Sequence, residues 1–264
     1  VSRIGSVRAV QKMRAGTLGG QSRVAQPIAF PLAPRQQKKK PVVILHPGAL
    51  IWLEASLGVP ALPPTVTNVT AWQDQTANNR DQQGGIVQTG RTVGGRAALD
   101  FVPVSFVTVQ LNTADTSHTA YFVAQVDALS SFQTLLGGFN AVGNPYLQYR
   151  IDQTTGKLTC NRQQTSGVFT TSGAVAAATP FVISIAMTPT TWRVRINHNA
   201  AETGAHSATF FVPPIPSEAV NLGGSTGGFE PLDGAIAEFI WYDSTKSTTD
   251  QDDEHNALLA KYGI

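Results

Sequence analysis

The sequence predicts an all-β sandwich with one short C-terminal helix, preceded by an extended basic arm. Three observations carry that expectation. From about residue 50 onward, short apolar or alternating runs recur between clusters of Gly, Pro, Asn and Asp, the pattern of strands joined by turns. Of the 264 residues, 42% are hydrophobic and only 14% charged, with 24 Gly and 16 Pro, so core-forming and turn-forming residues are both abundant. Nine of the nineteen basic residues fall in the first 41 positions, which contain no acid at all.

Those nine are Arg3, Arg8, Lys12, Arg14, Arg23, Arg35, Lys38, Lys39 and Lys40, and they leave ten basic residues against seventeen acidic ones in 42–264. Gly5, Gly16, Gly19, Gly20, Pro27, Pro31 and Pro34 break any period in the first segment, and its few large apolar side chains are too little to offset the entropy of ordering it. The expected organisation is an anchoring arm over 1–41 and a sandwich domain over 42–264. Such an arm suits docking on an acidic protein surface in a larger assembly, contact with nucleic acid, or solubility alone. Phe30 is its single aromatic residue, so it lacks rings to stack on bases, and docking is the favoured use over nucleic acid. Residues 1–26 also share the Arg-rich, acid-free character of organellar presequences, while the apolar core of a secretory signal is missing. No run approaches the roughly 18 apolar residues of a membrane span, so no membrane partner is expected. The lone Cys160 rules out an internal disulfide framework and reads as a small strand residue.

In chain order, the runs predict strands over 49–55, 98–101, 118–126, 133–139, 146–151, 157–162, 180–187, 191–197, 207–212, 220–223 and 234–242. Within 191–197, Trp192, Val194 and Ile196 alternate with Arg193, Arg195 and Asn197, which predicts one buried and one wet face. In 234–242, either Ile236 and Ile240 or Phe239 and Trp241 should face the core. The first pair is favoured, together with Glu238, whose carboxylate then needs a buried partner. A helix is predicted over 250–261, with acids in its first turn, Leu258, Leu259 and Tyr262 at helical spacing, and Gly263 as its stop. Gly-Gly pairs fall at irregular intervals, so no repeat architecture is expected.

Several of these segments carry a resemblance. The run GAIAEFIWYD at 234–243, followed by an acid-rich helix, is similar to the closing strand and helix of the concanavalin A-like lectin/glucanase (laminin G-like) superfamily. The run LIWLEAS at 50–56 resembles that family's first strand, VTAWQDQTAN at 69–78 its W-x-D-x-S-G-N segment, and ALDF at 98–101 the strand whose Phe enters the core. Departures are Gln75, Thr76 and Ala77 in place of a small Ser-Gly turn, and the Pro-rich stretch 60–64. The resemblance implies a concanavalin A-like jelly-roll sandwich. A domain of this kind on a basic arm resembles appendage, fibre and decoration proteins of tailed bacteriophages. That implies a non-enzymatic structural protein located in the virion, held to other virion proteins by its arm, homo-oligomeric, and presenting a lectin-like face to cell-surface glycan. The alternatives are a carbohydrate-active enzyme of the glucanase type, or a coat-type protein whose arm contacts nucleic acid.

The residues offer little chemistry. Glucanases of the superfamily carry paired carboxylates in an E-x-D-x-E strand, and this sequence has no such run. Asp250, Asp252, Asp253 and Glu254 cluster where a helix dipole alone favours acids, and Glu238 and Asp243 read as structural hydrogen-bonding groups. The five histidines, His46, His118, His198, His206 and His255, lack the close pairing of a zinc site. The Gly-rich stretch 223–228 lies between two strands rather than opening a helix, so it is no phosphate loop. Asp74, Asn78, Asn79 and Asp81 could offer calcium hard oxygen ligands, but such residues also populate ordinary turns, and a cofactor-free protein is the expectation. For a sugar, the candidates are Tyr146 and Tyr149 beside Asn144, Gln148 and Arg150. Being three apart on a strand, the two rings should point to opposite faces unless a bulge intervenes, with one in the core.

Overall fold

The computed structural model of the protein describes residues 46–58, 66–68, 72–76, 78, 83–84, 86–101, 105–111, 117–139, 145–162, 165–206, 218–224 and 230–264. The basic segment 1–41 and the expected strand 207–212 lie outside these.

The described strands are β1 (Ile51–Glu54), β2 (Val66–Asn68), β3 (Gln83–Gly84), β4 (Ile86–Val93), β5 (Arg96–Phe101), β6 (Val107–Leu111), β7 (His118–Val126) and β8 (Gln133–Phe139). They continue with β9 (Pro145–Ile151), β10 (Lys157–Arg162), β11 (Thr165–Ala174), β12 (Phe181–Met187), β13 (Thr191–Ile196), β14 (Glu202–Ala205), β15 (Glu218–Leu222) and β16 (Gly234–Tyr242). One turn of helix, α1 (Ala55–Gly58), follows β1, and α2 (Thr248–Tyr262) follows β16. The strands form two antiparallel sheets. A nine-stranded sheet runs β14-β13-β12-β7-β16-β5-β4-β2, with β1 also paired to β16, and a seven-stranded sheet runs β11-β10-β9-β8-β15-β6-β3.

Between the sheets lies the main core, with Ile51, Leu53, Trp72, Phe101, Phe122, Tyr149, Phe181, Phe239 and Trp241 among its members. A second core forms on the other side of the nine-stranded sheet, where Trp52, Tyr121, Val123, Val182, Ile240 and Tyr242 meet Leu258, Leu259 and Tyr262 of α2. Strands at the centre of that sheet are therefore covered twice. Every residue of β12 and β16 is buried, which is why both read as nearly continuous apolar runs.

Two expectations about facing directions are corrected. On β16 the alternation is broken by a bulge: Ile236 pairs with Ala124 and Glu238 with Val123, leaving Ala237 as the extra residue. Ile236, Phe239 and Trp241 consequently enter the inter-sheet core, while Ala237, Ile240 and Tyr242 turn toward α2. On β13, Arg193 and Arg195 do not face open solvent, because α2 covers that side. Arg193 grips both oxygens of Asp252 at 2.7 and 2.8 Å, and Arg195 lies 3.4 Å from the same carboxylate.

The helix starts at a cap: Ser247 Oγ accepts from Asp250 N at 3.1 Å, and the Asp250 carboxylate accepts from the Ser247 hydroxyl at 2.7 Å. It stops at Gly263, whose φ of 65° is the left-handed conformation that suits glycine. Its last residue sits on the β4–β5 hairpin, where a Cβ at Gly94 would stand 2.1 Å from the Tyr262 carbonyl oxygen.

Candidate functional site

Alternation along β9 sends Leu147, Tyr149 and Ile151 into the core and leaves Gln148 and Arg150 on the outer face of the seven-stranded sheet. Register then decides their neighbours. Asn161 of β10 is paired with Gln148, and Thr134 of β8 with Arg150. Gln148 donates through Nε2 to Thr134 Oγ1 at 3.1 Å and to Glu230 Oε2 at 2.5 Å, and it accepts from Asn161 Nδ2 at 2.9 Å. Further along the sheet, Thr108 of β6 donates to Asn221 Oδ1 of β15 at 3.2 Å.

At the rim of this polar row, Arg150 Nη1 donates to Glu230 Oε1 at 2.9 Å, and the guanidinium lies 4.1 Å from the centre of the Phe132 ring. The Nε–H of Arg150 has no partner. Glu230 adopts φ of 49°, sparsely populated for a residue with a side chain, and such strain persists where the surroundings hold it in place. Gln148, Thr134, Asn161 and Asn221 are buried, whereas Phe132, Arg150 and Glu230 are half-buried. The arrangement offers a charged donor, a charged acceptor and an aromatic edge to a ligand carrying many hydroxyls, on a floor of amides fixed by each other.

The residues expected to hold a sugar divide accordingly. Tyr149 is corrected: its ring is fully buried, its hydroxyl bonds His118 Nε2, and the ring stands edge-on to Phe122, so no ligand can stack on it. Gln148 is on the outer face but only 2% exposed, so it supports the surface rather than forming it. Tyr146 belongs to β9 by its backbone, its side chain is outside the described set, and Asn144 lies outside the described residues. Phe132 and Thr134 at the entry to β8, Asn161 of β10 and Glu230 ahead of β16 come from three stretches of the chain; register sets Thr134 and Asn161 beside β9, and Thr134 N donates to the Glu230 carbonyl at 3.3 Å.

Among the calcium candidates, Asp74 Oδ1 accepts from Trp52 N at 3.0 Å and from Thr76 N at 2.9 Å, and Oδ2 accepts from the Thr76 hydroxyl at 2.7 Å. The Asn78 amide nitrogen donates to the Leu50 carbonyl at 3.0 Å. These are loop-closing bonds of the kind Asx residues make. Asn79 and Asp81 lie outside the described residues, among which no group of three His, Cys, Asp or Glu could hold a metal ion.

Glu238 did require buried partners. Its carboxylate accepts from Trp52 Nε1 at 2.7 Å, Lys261 Nζ at 2.9 Å and Tyr262 OH at 2.9 Å. Lys261 also reaches Glu54 at 2.8 Å. His46 Nδ1 is 2.5 Å from Glu254 Oε1, and its Nε2 makes an ion pair with Glu238 at 3.4 Å. Burial would raise the Glu238 and Glu254 carboxyls, but the His46 charge, with Lys261 on one and Lys246 on the other, outweighs it and holds both below the usual range. Burial likewise pulls His46 down, and the two carboxylates more than reverse this. The cluster is a sealed network beneath α2 in which every carboxylate has a cation.

No family model matches the chain, and no curated protein matches it in sequence. Solved structures do resemble it. Trypanosoma rangeli sialidase in complex with sialic acid superposes with a TM-score of 0.58 and 13% identity, over 81% of this chain and 33% of that one. The receptor binding domain of botulinum neurotoxin C/D mosaic serotype superposes at 0.57 with 11% identity, over 80% of this chain and 52% of the other. They share its fold. The chain spans about a third of the first protein's length and about half of the second's.

Proposed function

We infer that the domain is a non-enzymatic, lectin-like glycan-binding sandwich of the concanavalin A-like kind, carried by its basic arm. The observation behind this reading is the Arg150–Glu230 pair standing beside Phe132 above a row of buried amides, since paired charged donors and acceptors next to an aromatic edge suit vicinal hydroxyls. A likeness in fold to a third of a sialidase solved with sialic acid, and to the receptor binding domain of a toxin, supports a glycan ligand. A binding role rather than catalysis is supported by the confinement of Glu54, Glu238 and Glu254 beneath α2, each tied to a cation, and by the lack of an E-x-D-x-E strand. The nine positive charges of 1–41 support attachment to an acidic partner surface, and a virion appendage is the assembly we propose.

The test is a glycan array probed with the full chain and with Arg150→Ala, each shown to be folded by thermal melting. Binding to a defined glycan set that the substitution abolishes is the expected result. A folded protein that binds no glycan, or a variant that binds as well as the parent, overturns the reading.

A further inference from the structure

Behind the nine-stranded sheet, on the face opposite Arg150, a cavity of about 400 Å³ opens where β12, β13 and β14 meet the entry to α2. Its size falls in the range of sites that take small ligands. Sheet alternation puts Arg193 and its cross-strand partner Thr203 on this side, and the chain turning into α2 adds Lys246, Thr248 and Gln251.

The lining has a definite electrostatic sense. It contains two cations and five threonines and no carboxylate. The acids that balance those cations stand outside it: Asp252 holds Arg193 at 2.7 Å, and Glu254 holds Lys246 Nζ at 2.6 Å. The start of a fifteen-residue helix adds to the positive potential, because first-turn N–H groups lack intrahelical partners.

An independent observation comes from Gln251. The residue is 1% exposed and lines the cavity, and its Nε2 has no hydrogen-bond partner. Arg193 Nη1 donates to Gln251 Oε1 at 2.6 Å, which fixes the amide orientation and makes the unmet group a donor. Native proteins keep few such groups, and an acceptor atom on a ligand would satisfy this one.

We propose that this pocket is a second sugar site, separate from the sheet face, and that it takes one acidic monosaccharide unit. The carboxylate lies toward the α2 start and Lys246, ring hydroxyls meet the threonines, and an acceptor oxygen reaches Gln251 Nε2. The proposal does not depend on the sheet-face reading.

The experiment is ligand-observed NMR titration of the full chain with glucuronate, N-acetylneuraminate, glucose and inorganic phosphate. One of the two acidic sugars is expected to saturate a site that glucose does not fill and that phosphate fills more weakly. Thr248→Glu puts a negative charge in the first helical turn, where the dipole tolerates it, and it should weaken acidic-sugar binding by about tenfold or more. Thr203→Trp fills the opposite wall and should do the same if the first variant is misfolded. Repeating the titration in Arg150→Ala removes any sheet-face contribution, and the saturable component that remains should still be lost on adding Thr248→Glu, which separates failure here from failure at the sheet face. Lack of saturation by either acidic sugar, equal binding of glucose, phosphate binding as tight as the sugar's, or unchanged binding in a folded pocket variant each overturns the proposal.

Discussion

His46 and Glu254, 208 positions apart in the chain, are joined by a 2.5 Å hydrogen bond that ties the segment leading into β1 to the middle of α2. The Glu254 carboxylate also accepts from Tyr242 OH at 2.7 Å and from Lys246 Nζ at 2.6 Å, so one buried group fastens three elements. Because the histidine is held above its ordinary value of 6.5, the unfolded state loses its proton first as pH rises. Its contribution is complete below 6.5 and fades as pH climbs through the raised folded value. His46→Gln should cost about 3 kcal/mol at pH 6. That deficit should shrink steadily toward pH 9 when urea unfolding is followed across the range.

His255 should behave in the opposite sense. Burial pushes its ring down to about 4, and Nε2–H donates to the Asn197 carbonyl at 2.9 Å, leaving Nδ1 to accept from Ser184 Oγ at 3.0 Å. The neutral ring is the native form. Unfolded chains gain a proton on it below pH 6.5, so stability falls by about 3 kcal/mol between pH 6.5 and 4. His255→Gln should flatten that part of the curve, and an unaltered slope in calorimetric melts would remove this residue as the cause.

Lys261 should be the most damaging single truncation in the network, since among the described residues it is the cation that serves both Glu54 and Glu238. Lys261→Met should cost about 3 to 5 kcal/mol because it takes the nearest cation from two buried carboxylates, leaving only the longer pairs with His46 and Arg96. Adding Glu238→Gln should then cost less than it does alone, and a double-mutant cycle measures the difference. Strict additivity would mean that the two side chains do not act together.

The β4–β5 hairpin offers a controlled comparison. Gly94 and Gly95 both have positive φ, of 55° and 74°, the two-residue turn that matches strand twist. Space around a Cβ is open at Gly95 but blocked by the Tyr262 backbone at Gly94. Gly95→Ala should therefore cost about 1 to 2 kcal/mol from backbone conformation alone. Gly94→Ala should cost markedly more and loosen the end of α2, seen as faster amide exchange at Leu259 and Tyr262.

Much of the sandwich was legible because its strands obey simple periods. The runs 118–126, 133–139, 157–162 and 234–242 carry alternating or apolar residues between turn formers and coincide residue for residue with β7, β8, β10 and β16. β11 escaped because TSGVFTTSGA holds only Val168 and Phe169 as large apolar groups, and β14 because four residues at a sheet edge carry no pattern. The bulge at Ala237 was not legible at all, since one extra residue leaves composition unchanged while reversing every later side chain. The sheet-face site failed for a related reason. Arg150 was visible beside the tyrosines, but Glu230 reaches it from 80 positions away, on a left-handed backbone ahead of β16 that no local pattern announces.

The position of β16 governs how the molecule can be made. It lies between β7 and β5, with β1 sharing the second edge along Glu238–Trp241, so a ribosome must deliver residue 242 before the larger sheet can close. Before then, the strand order permits at most two half-sheets, β14-β13-β12-β7 and β5-β4-β2, each of which would leave an edge bare where β16 belongs. Such edges pair readily with other chains, so the yield of native protein should depend on chaperone cover and on low concentration during synthesis more than on the strength of any finished contact.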